Sequence, residues 1–259
     1  MDPSGKFIYT RNQQVLSGNL QMVQEDSMTE GARIPITAKE IGTTEVFAAS
    51  LFHSPNGRFV TVVGDGEYIT YTSLAWRNKS YGSGISFAWA PDSNTYAVLE
   101  SRTKLRVYKN FRERPGNMKG VGSWTLEALH GGTLLGARGA GFVMFWDWET
   151  GEIVRRIDVD AKNVCDISAS AVVLILTSAF QVFWSGTGSL VAITSQDTFY
   201  ILRFDRDAYN AKLEEGAQIT DEGVEEAFEV VAEVTERYVI DLHHQSISSL
   251  VAVSRQQSG

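Results

Sequence analysis

The chain is poor in the residues that metal, redox and nucleic-acid chemistry depend on. A single cysteine, Cys165, in 259 residues leaves no internal disulfide, so nothing calls for an oxidising compartment. Only four histidines occur: His53, His130, His243 and His244. His53 and His130 stand beside turns, where hydrogen bonding within the fold is expected. His243-His244 has no cysteine or histidine partner at a zinc-like spacing, so no metal site is expected. Cations are also scarce: 23 Lys and Arg face 31 Asp and Glu, a net charge of −8. That balance excludes a general nucleic-acid binder, which must neutralise phosphates. Met1-Asp2-Pro3-Ser4-Gly5-Lys6 shows no basic segment leading into an apolar core, so no signal peptide is read there. The uncharged run Ile167–Trp184 only just reaches spanning length and carries several Ser, Thr and Gln, so a membrane span is not expected. No G-x-S-x-G, H-E-x-x-H or P-loop motif is present. What is present, 43% hydrophobic and 21% charged residues, is the composition of a soluble globular protein.

The strongest positive signal is a repeat. Four segments pair a turn with a strand ending on an aromatic residue. Ser54-Pro55-Asn56-Gly57 leads to Tyr71, Ala90-Pro91-Asp92-Ser93 to Tyr108, His130-Gly131-Gly132 to Trp146, and Trp184-Ser185-Gly186 to Phe204. The intervals between these aromatics are 37, 38 and 58 residues, the first two close to the 40–45-residue period of propeller blades. Phe59–Val63 is β-branched and bounded by Gly57 and Gly64, which predicts a buried strand. Arg102, Lys104 and Arg106 alternate with Thr103, Leu105 and Val107, the period of a strand with one wet face. Phe145–Val154 reads as strand, Thr150-Gly151 turn, strand. Its Trp146-Asp147 is the dipeptide that closes the third strand of a WD-type blade. The expected fold is all-β, an incomplete WD-type β-propeller of about four to five blades.

Two regions interrupt the pattern. Cys165–Val182, 18 residues, lies in the overlong interval, and its removal restores a spacing of 40 and joins Val164 to Phe183. An extra buried strand or a loop would also account for it; we expect an insertion foreign to the fold, such as a retained intron. Four or five blades would leave open edges, and with the apolar Ala171–Leu176 run they predict aggregation of the isolated chain. From Asp205 to Asp241, twelve acidic residues face three basic ones. Thr220-Asp221-Glu222 can cap a helix, and Val224, Ala227, Phe228 and Val231 follow at helical spacing, so Asp221–Val234 is expected to be a short acidic helix.

No constellation points to catalysis. Asp65-Gly66-Glu67 has the chemistry of a cation ligand but is better explained as a tight hairpin turn. Asp205-Arg206-Asp207 with Asn210 echoes a calcium loop, yet Tyr209 and Asn210 stand where an oxygen ligand and a glycine are required. The pairs Gly82/Gly84, Gly120/Gly122 and Gly139/Gly141 lack the third glycine of a nucleotide loop and read as turns. Trp89, Trp124, Trp146 and Trp184 are expected to pack between blades. The one basic stretch runs from Arg102 to Lys119 with only Glu113 against it. It is either a solvated strand face or a surface for an acidic partner or anionic lipid. No catalytic, cofactor-binding or metal-binding residue is assigned.

Ordered blocks carry a family resemblance. Asn56-Gly57-Arg58-Phe59-Val60 with Gly64-Asp65-Gly66-Glu67-Tyr68-Ile69, and Phe145-Trp146-Asp147-Trp148-Glu149 with Arg155-Arg156-Ile157, resemble the beta-prime subunit family of coatomer, the COPI vesicle coat. So does Gly223-Val224-Glu225-Glu226-Ala227-Phe228-Glu229-Val230. The resemblance runs over residues 1–237, apart from 165–182, and implies part of the second of that family's two propellers, with 238–259 a non-family, disordered tail. Pro3-Ser4-Gly5-Lys6-Phe7 resembles Pro55-Asn56-Gly57-Arg58-Phe59, so the chain is expected to open at a blade's internal turn. The implied function is a non-catalytic structural subunit in transport between Golgi and endoplasmic reticulum. The implied partners are the alpha, epsilon and remaining coat subunits, with peripheral attachment to Golgi and vesicle membranes from the cytoplasm. Neither nucleic acid, a small-molecule substrate nor a cofactor is implied. The rival is another WD scaffold or peptide-binding module, such as the alpha subunit of the same coat.

Overall fold

The computed structural model describes residues 5–23, 36–116, 118–158, 182–194, 199–216 and 219–234. The expected insertion up to Gln181, the His243-His244 pair and the 238–259 tail lie outside the described residues. The chain divides after Asn117 into two compact units.

The first unit holds three antiparallel sheets. Its first is β1 (Lys6–Arg11), β2 (Gln14–Asn19) and β3 (Lys39–Thr43) in that order. The second is β4 (Ser50–His53), β5 (Phe59–Gly64), β6 (Glu67–Thr72) and β7 (Asn78–Ser83). The third is β8 (Ser86–Trp89), β9 (Thr95–Ser101), β10 (Lys104–Lys109) and the two-residue β11 (Arg112–Glu113). The second unit holds two more: β12 (Leu126–His130) through β13 (Leu135–Gly139) and β14 (Phe142–Trp146) to β15 (Ile153–Asp158), and β16 (Val182–Trp184) through β17 (Leu190–Thr194) and β18 (Phe199–Phe204) to β19 (Phe228–Val234). Each is an up-and-down meander, the blade of a propeller.

The repeat corresponds to one structural position per blade. Tyr71, Tyr108, Trp146 and Phe204 stand at or next to the last residue of the third strand in their sheets. His53, Trp89, His130 and Trp184 each end a first strand and pair with Val60, Tyr96, Gly136 and Val191. The turn after them is also shared. Ser54 N–H donates to Phe59 O and Gly57 N–H to Ser54 O; Ser185 N–H donates to Leu190 O and Gly188 N–H to Ser185 O. Gly5, Gly57 and Gly188 have φ of +73°, +68° and +73°, so β1 occupies the place of β5 and β17. At the other end of β5, Asp65 and Gly66 both have positive φ, the two-residue hairpin expected of Asp-Gly.

Cores form where neighbouring blades of one unit meet. In the first unit Val63 and Tyr68 pack with Phe87, Trp89, Tyr96 and Val98. In the second, Leu134, Phe145 and Val154 pack with Val191, Ile193 and Leu202. Gly132 lies so close to Trp184 that an added Cβ would overlap the indole ring, and this fit lets Trp184 reach Phe145 edge-on at 5.8 Å. Trp89 also reaches the neighbouring blade, but face-on, stacked on Phe59 6.0 Å away. Trp124 departs from expectation: its ring contacts are Phe142 at 5.5 Å and the Arg156 guanidinium at 4.4 Å, both in its own blade.

The expected helix over Asp221–Val234 is not formed. Glu225–Ala227 makes a single 3-10 turn and Phe228–Val234 is the strand β19. A β-bulge explains the misleading spacing. Ala232 pairs with Ile201 but Val230 with Leu202, which leaves Val231 as the extra residue. The bulge places Val231 and Ala232 together against Ile201 and Ala192. Apolar residues three apart therefore serve one strand, and the β-branched Val230, Val231 and Val234 suit it. The short helix lies earlier, at α1 (Arg206–Glu214). Val182, expected as the last residue of the insertion, opens β16, buried and paired with Ile193.

Candidate interaction surfaces

The two aromatic-Asp pairs show how one local device yields two different connections. Asp147 Oδ1 accepts from the N–H groups of Glu149 and Thr150 at 2.9 Å. Asp205 Oδ1 accepts from those of Asp207 and Ala208 at 3.0 Å. After Asp147, Gly151 (φ +73°) stops the turn and β15 follows. After Asp205 no such stop occurs, so the same cap starts α1. The echo of a calcium loop at Asp205 is thus a helix cap.

α1 closes one side of a cleft in the second unit. Tyr209 is 1% exposed and packs into the core with Val224 and Ala227. Thr133, Asp147, Thr150, Arg206, Tyr209 and Leu213 line a cleft of about 370 Å³ beside it. Burial alone would raise the Asp147 carboxyl. The N–H groups of Thr150 and Glu149, the Thr150 hydroxyl and the Arg206 charge outweigh it and hold the group below the usual carboxylate range. Arg206 Nη1 lies 3.4 Å from Asp147 Oδ2.

The acidic segment acts through its backbone. Arg156 N–H donates to Glu222 O and Val224 N–H to Val154 O, both at 2.8 Å. Gly223 thereby bridges to Arg155 and caps part of the open edge of β15.

Of the two histidines expected to serve the fold, His130 ends β12 with Nε2 buried, and His53 holds the matching place on β4. Burial, helped by the nearby Arg138 charge, pushes the His130 pKa from 6.5 down to about 4. The folded chain then holds fewer protons than the unfolded chain between pH 6.5 and about 4. Stability is full above that window and falls as the pH drops through it, approaching a loss of about 3 kcal/mol near pH 4. Urea denaturation at pH 7 and pH 5 should show this slope, and His130→Gln should flatten it; an unchanged slope would remove His130 as its source.

The basic stretch is more neutralised than its sequence implies. Glu100, outside the stretch, lies 2.6 Å from both Lys104 Nζ and Arg106 Nε, and Glu113 pairs with Arg106 Nη1. Lys119 pairs with Glu152 at 2.7 Å. Leu105 and Val107 are buried while Lys104 is exposed, as the alternation predicts. Among the described residues, no three His, Cys, Asp or Glu side chains are grouped to hold a metal ion, and no helix is long and apolar enough to cross a membrane.

Known proteins give this architecture a family. The family model COPA/B second beta-propeller matches residues 12–240. Coatomer subunit beta'-1 of Arabidopsis thaliana is 42% identical over 238 residues, and coatomer subunit beta' of Homo sapiens 37% identical over 236. These matches cover 92% and 91% of this chain, which spans 24% of the length of each relative. In fold alone, a functionally unknown protein from Desulfotomaculum acetoxidans is similar, with a TM-score of 0.56 at 12% identity over 93% of this chain and 70% of that one. With a family match across its blades and high-coverage relatives that agree, the chain belongs to the COPA/B second beta-propeller family.

Proposed function

We propose that the chain serves as a second-propeller portion of a beta-prime-type COPI coat subunit, a non-catalytic scaffold in transport between Golgi and endoplasmic reticulum. The carrying observation is 37–42% identity across nine-tenths of the chain to proteins named coatomer subunit beta'. Rigid blades present turns and outer strands to the alpha, epsilon and other coat subunits, and the assembled coat attaches to membranes from the cytoplasm. The chemistry is that of a scaffold: the conspicuous carboxylates Asp65, Asp147 and Asp205 accept backbone N–H groups in turns and caps.

The test is co-expression with the alpha and epsilon coat subunits, once as the full chain and once without Cys165–Val182. We expect co-elution on size exclusion. A folded chain that elutes alone in both forms would overturn the coat assignment. The deletion itself tests the insertion: it joins Val164 to Phe183 and so returns a valine to the place opposite Ile193. Retained β-sheet circular dichroism is expected; loss of folding would make 165–182 part of the fold.

A further inference from the structure

The third blade has an outer strand of only two residues, where β7, β15 and β19 have six, six and seven. β11 pairs Glu113 with Tyr108 and Arg112 with Lys109, and Arg114 N–H reaches Val107 O. Pairing then stops. Pro115 has no N–H to offer, and Gly116 takes φ +105°. Among the described residues, no backbone hydrogen bond reaches Lys104, Leu105 or Arg106 from the side away from β9. This open edge is about 10 Å long at the rise of a strand.

Its surroundings select an occupant. From Arg102 to Arg114 six cations stand against one acid, Glu113, on a chain whose net charge is −8. Glu100 and Glu113 are engaged by Lys104 and Arg106. Arg102, in the turn before β10, and Arg112, at the start of β11, have no ion-pair partner among the described residues, and they bracket the open stretch. A strand added here would place alternate residues on the face of Lys104 and Arg106, whose charges Glu100 and Glu113 already balance, so the surplus that favours carboxylates comes from Arg102 and Arg112. Between them a residue would lie beside the buried Leu105, where an apolar side chain fits. Edge cations repel basic strands and discourage apolar ones, but they attract an acidic one. An anionic membrane offers charge without a ladder of N–H and C=O groups and would leave this edge unpaired.

We propose that the outer edge of β10 accepts an extended, alternating acidic–apolar segment of a partner protein by strand addition. This is independent of whether the chain joins a coat. The test uses the full chain and a fluorescent five-residue peptide, Glu-Val-Glu-Val-Glu with blocked termini, followed by anisotropy. Saturable binding is expected. An analogue N-methylated at alternate amides keeps the charge and loses the donors, so it should bind at least about tenfold more weakly. The exposed double substitution Arg102→Glu with Arg112→Glu should also weaken binding about tenfold, with an unchanged circular dichroism spectrum. Equal binding of the N-methylated peptide would reduce the site to charge attraction and overturn the proposal. So would no binding at millimolar peptide, indifference to the double substitution, or binding to phosphatidylserine vesicles with none to the peptide.

Discussion

Replacing Trp146 with alanine is expected to lower the unfolding free energy by about 3–5 kcal/mol. Trp146 is 0% exposed, ends the third strand of its blade and pairs with both Leu135 and Ile153. Its indole N–H donates to Lys119 O at 2.9 Å. Truncation would leave a large cavity and one orphaned carbonyl together. Urea denaturation of Trp146→Ala beside Leu74→Ala gives the comparison, because Leu74 is 96% exposed and should change stability by no more than about 0.5 kcal/mol. Similar midpoints for the two variants would mean that Trp146 does not anchor its blade.

A second large effect is expected at Gly223. Its φ is +82°, and a Cβ there would sit 2.7 Å from Arg155 Cα and closer still to Val154 O. Gly216 separates the two costs. It follows α1 with φ +69° and has nothing within 4 Å of an added Cβ, so Gly216→Ala measures backbone strain alone, about 1 kcal/mol. Gly223→Ala adds a clash with backbone that cannot move without breaking the pairs from Arg156 to Glu222 and from Val224 to Val154. A loss of about 3 kcal/mol is expected, with faster hydrogen exchange at the Arg156 and Val224 amides. Equal losses at the two glycines would show that the segment does not hold the edge of β15.

Much of the blade architecture is legible locally. Tyr71, Tyr108 and Trp146 recur at nearly even spacing because each closes, or nearly closes, the third strand of its blade. Asp65-Gly66 declares a hairpin through the positive φ it allows, and Trp146-Asp147 a strand end through the cap Asp147 provides. Asp221–Val234 misled for an equally physical reason. A bulge replaces the period of two with a step of three, and Val231 beside Phe228 imitates a helix face although the β-branched composition favours a strand. The helix α1 could have been found from Asp205, whose capping role the calcium-like spacing obscured.

The candidate surfaces were less accessible. Arg102–Lys119 reads as one basic strip, but the Glu100 carboxylate, one strand away in β9, neutralises two of its members. The shortness of β11 is written in Pro115-Gly116, yet its consequence, an uncovered edge on β10, exists only once β9 and β10 are paired. By itself, therefore, the chain's sequence determines its strands, hairpins and blade repeat, because these follow from alternation, turn chemistry and spacing over fewer than forty residues. Only the tertiary structure decides which edges stay open, which charges are spent and where Gly223 must be glycine, because each depends on groups that come together only when separate strands pair.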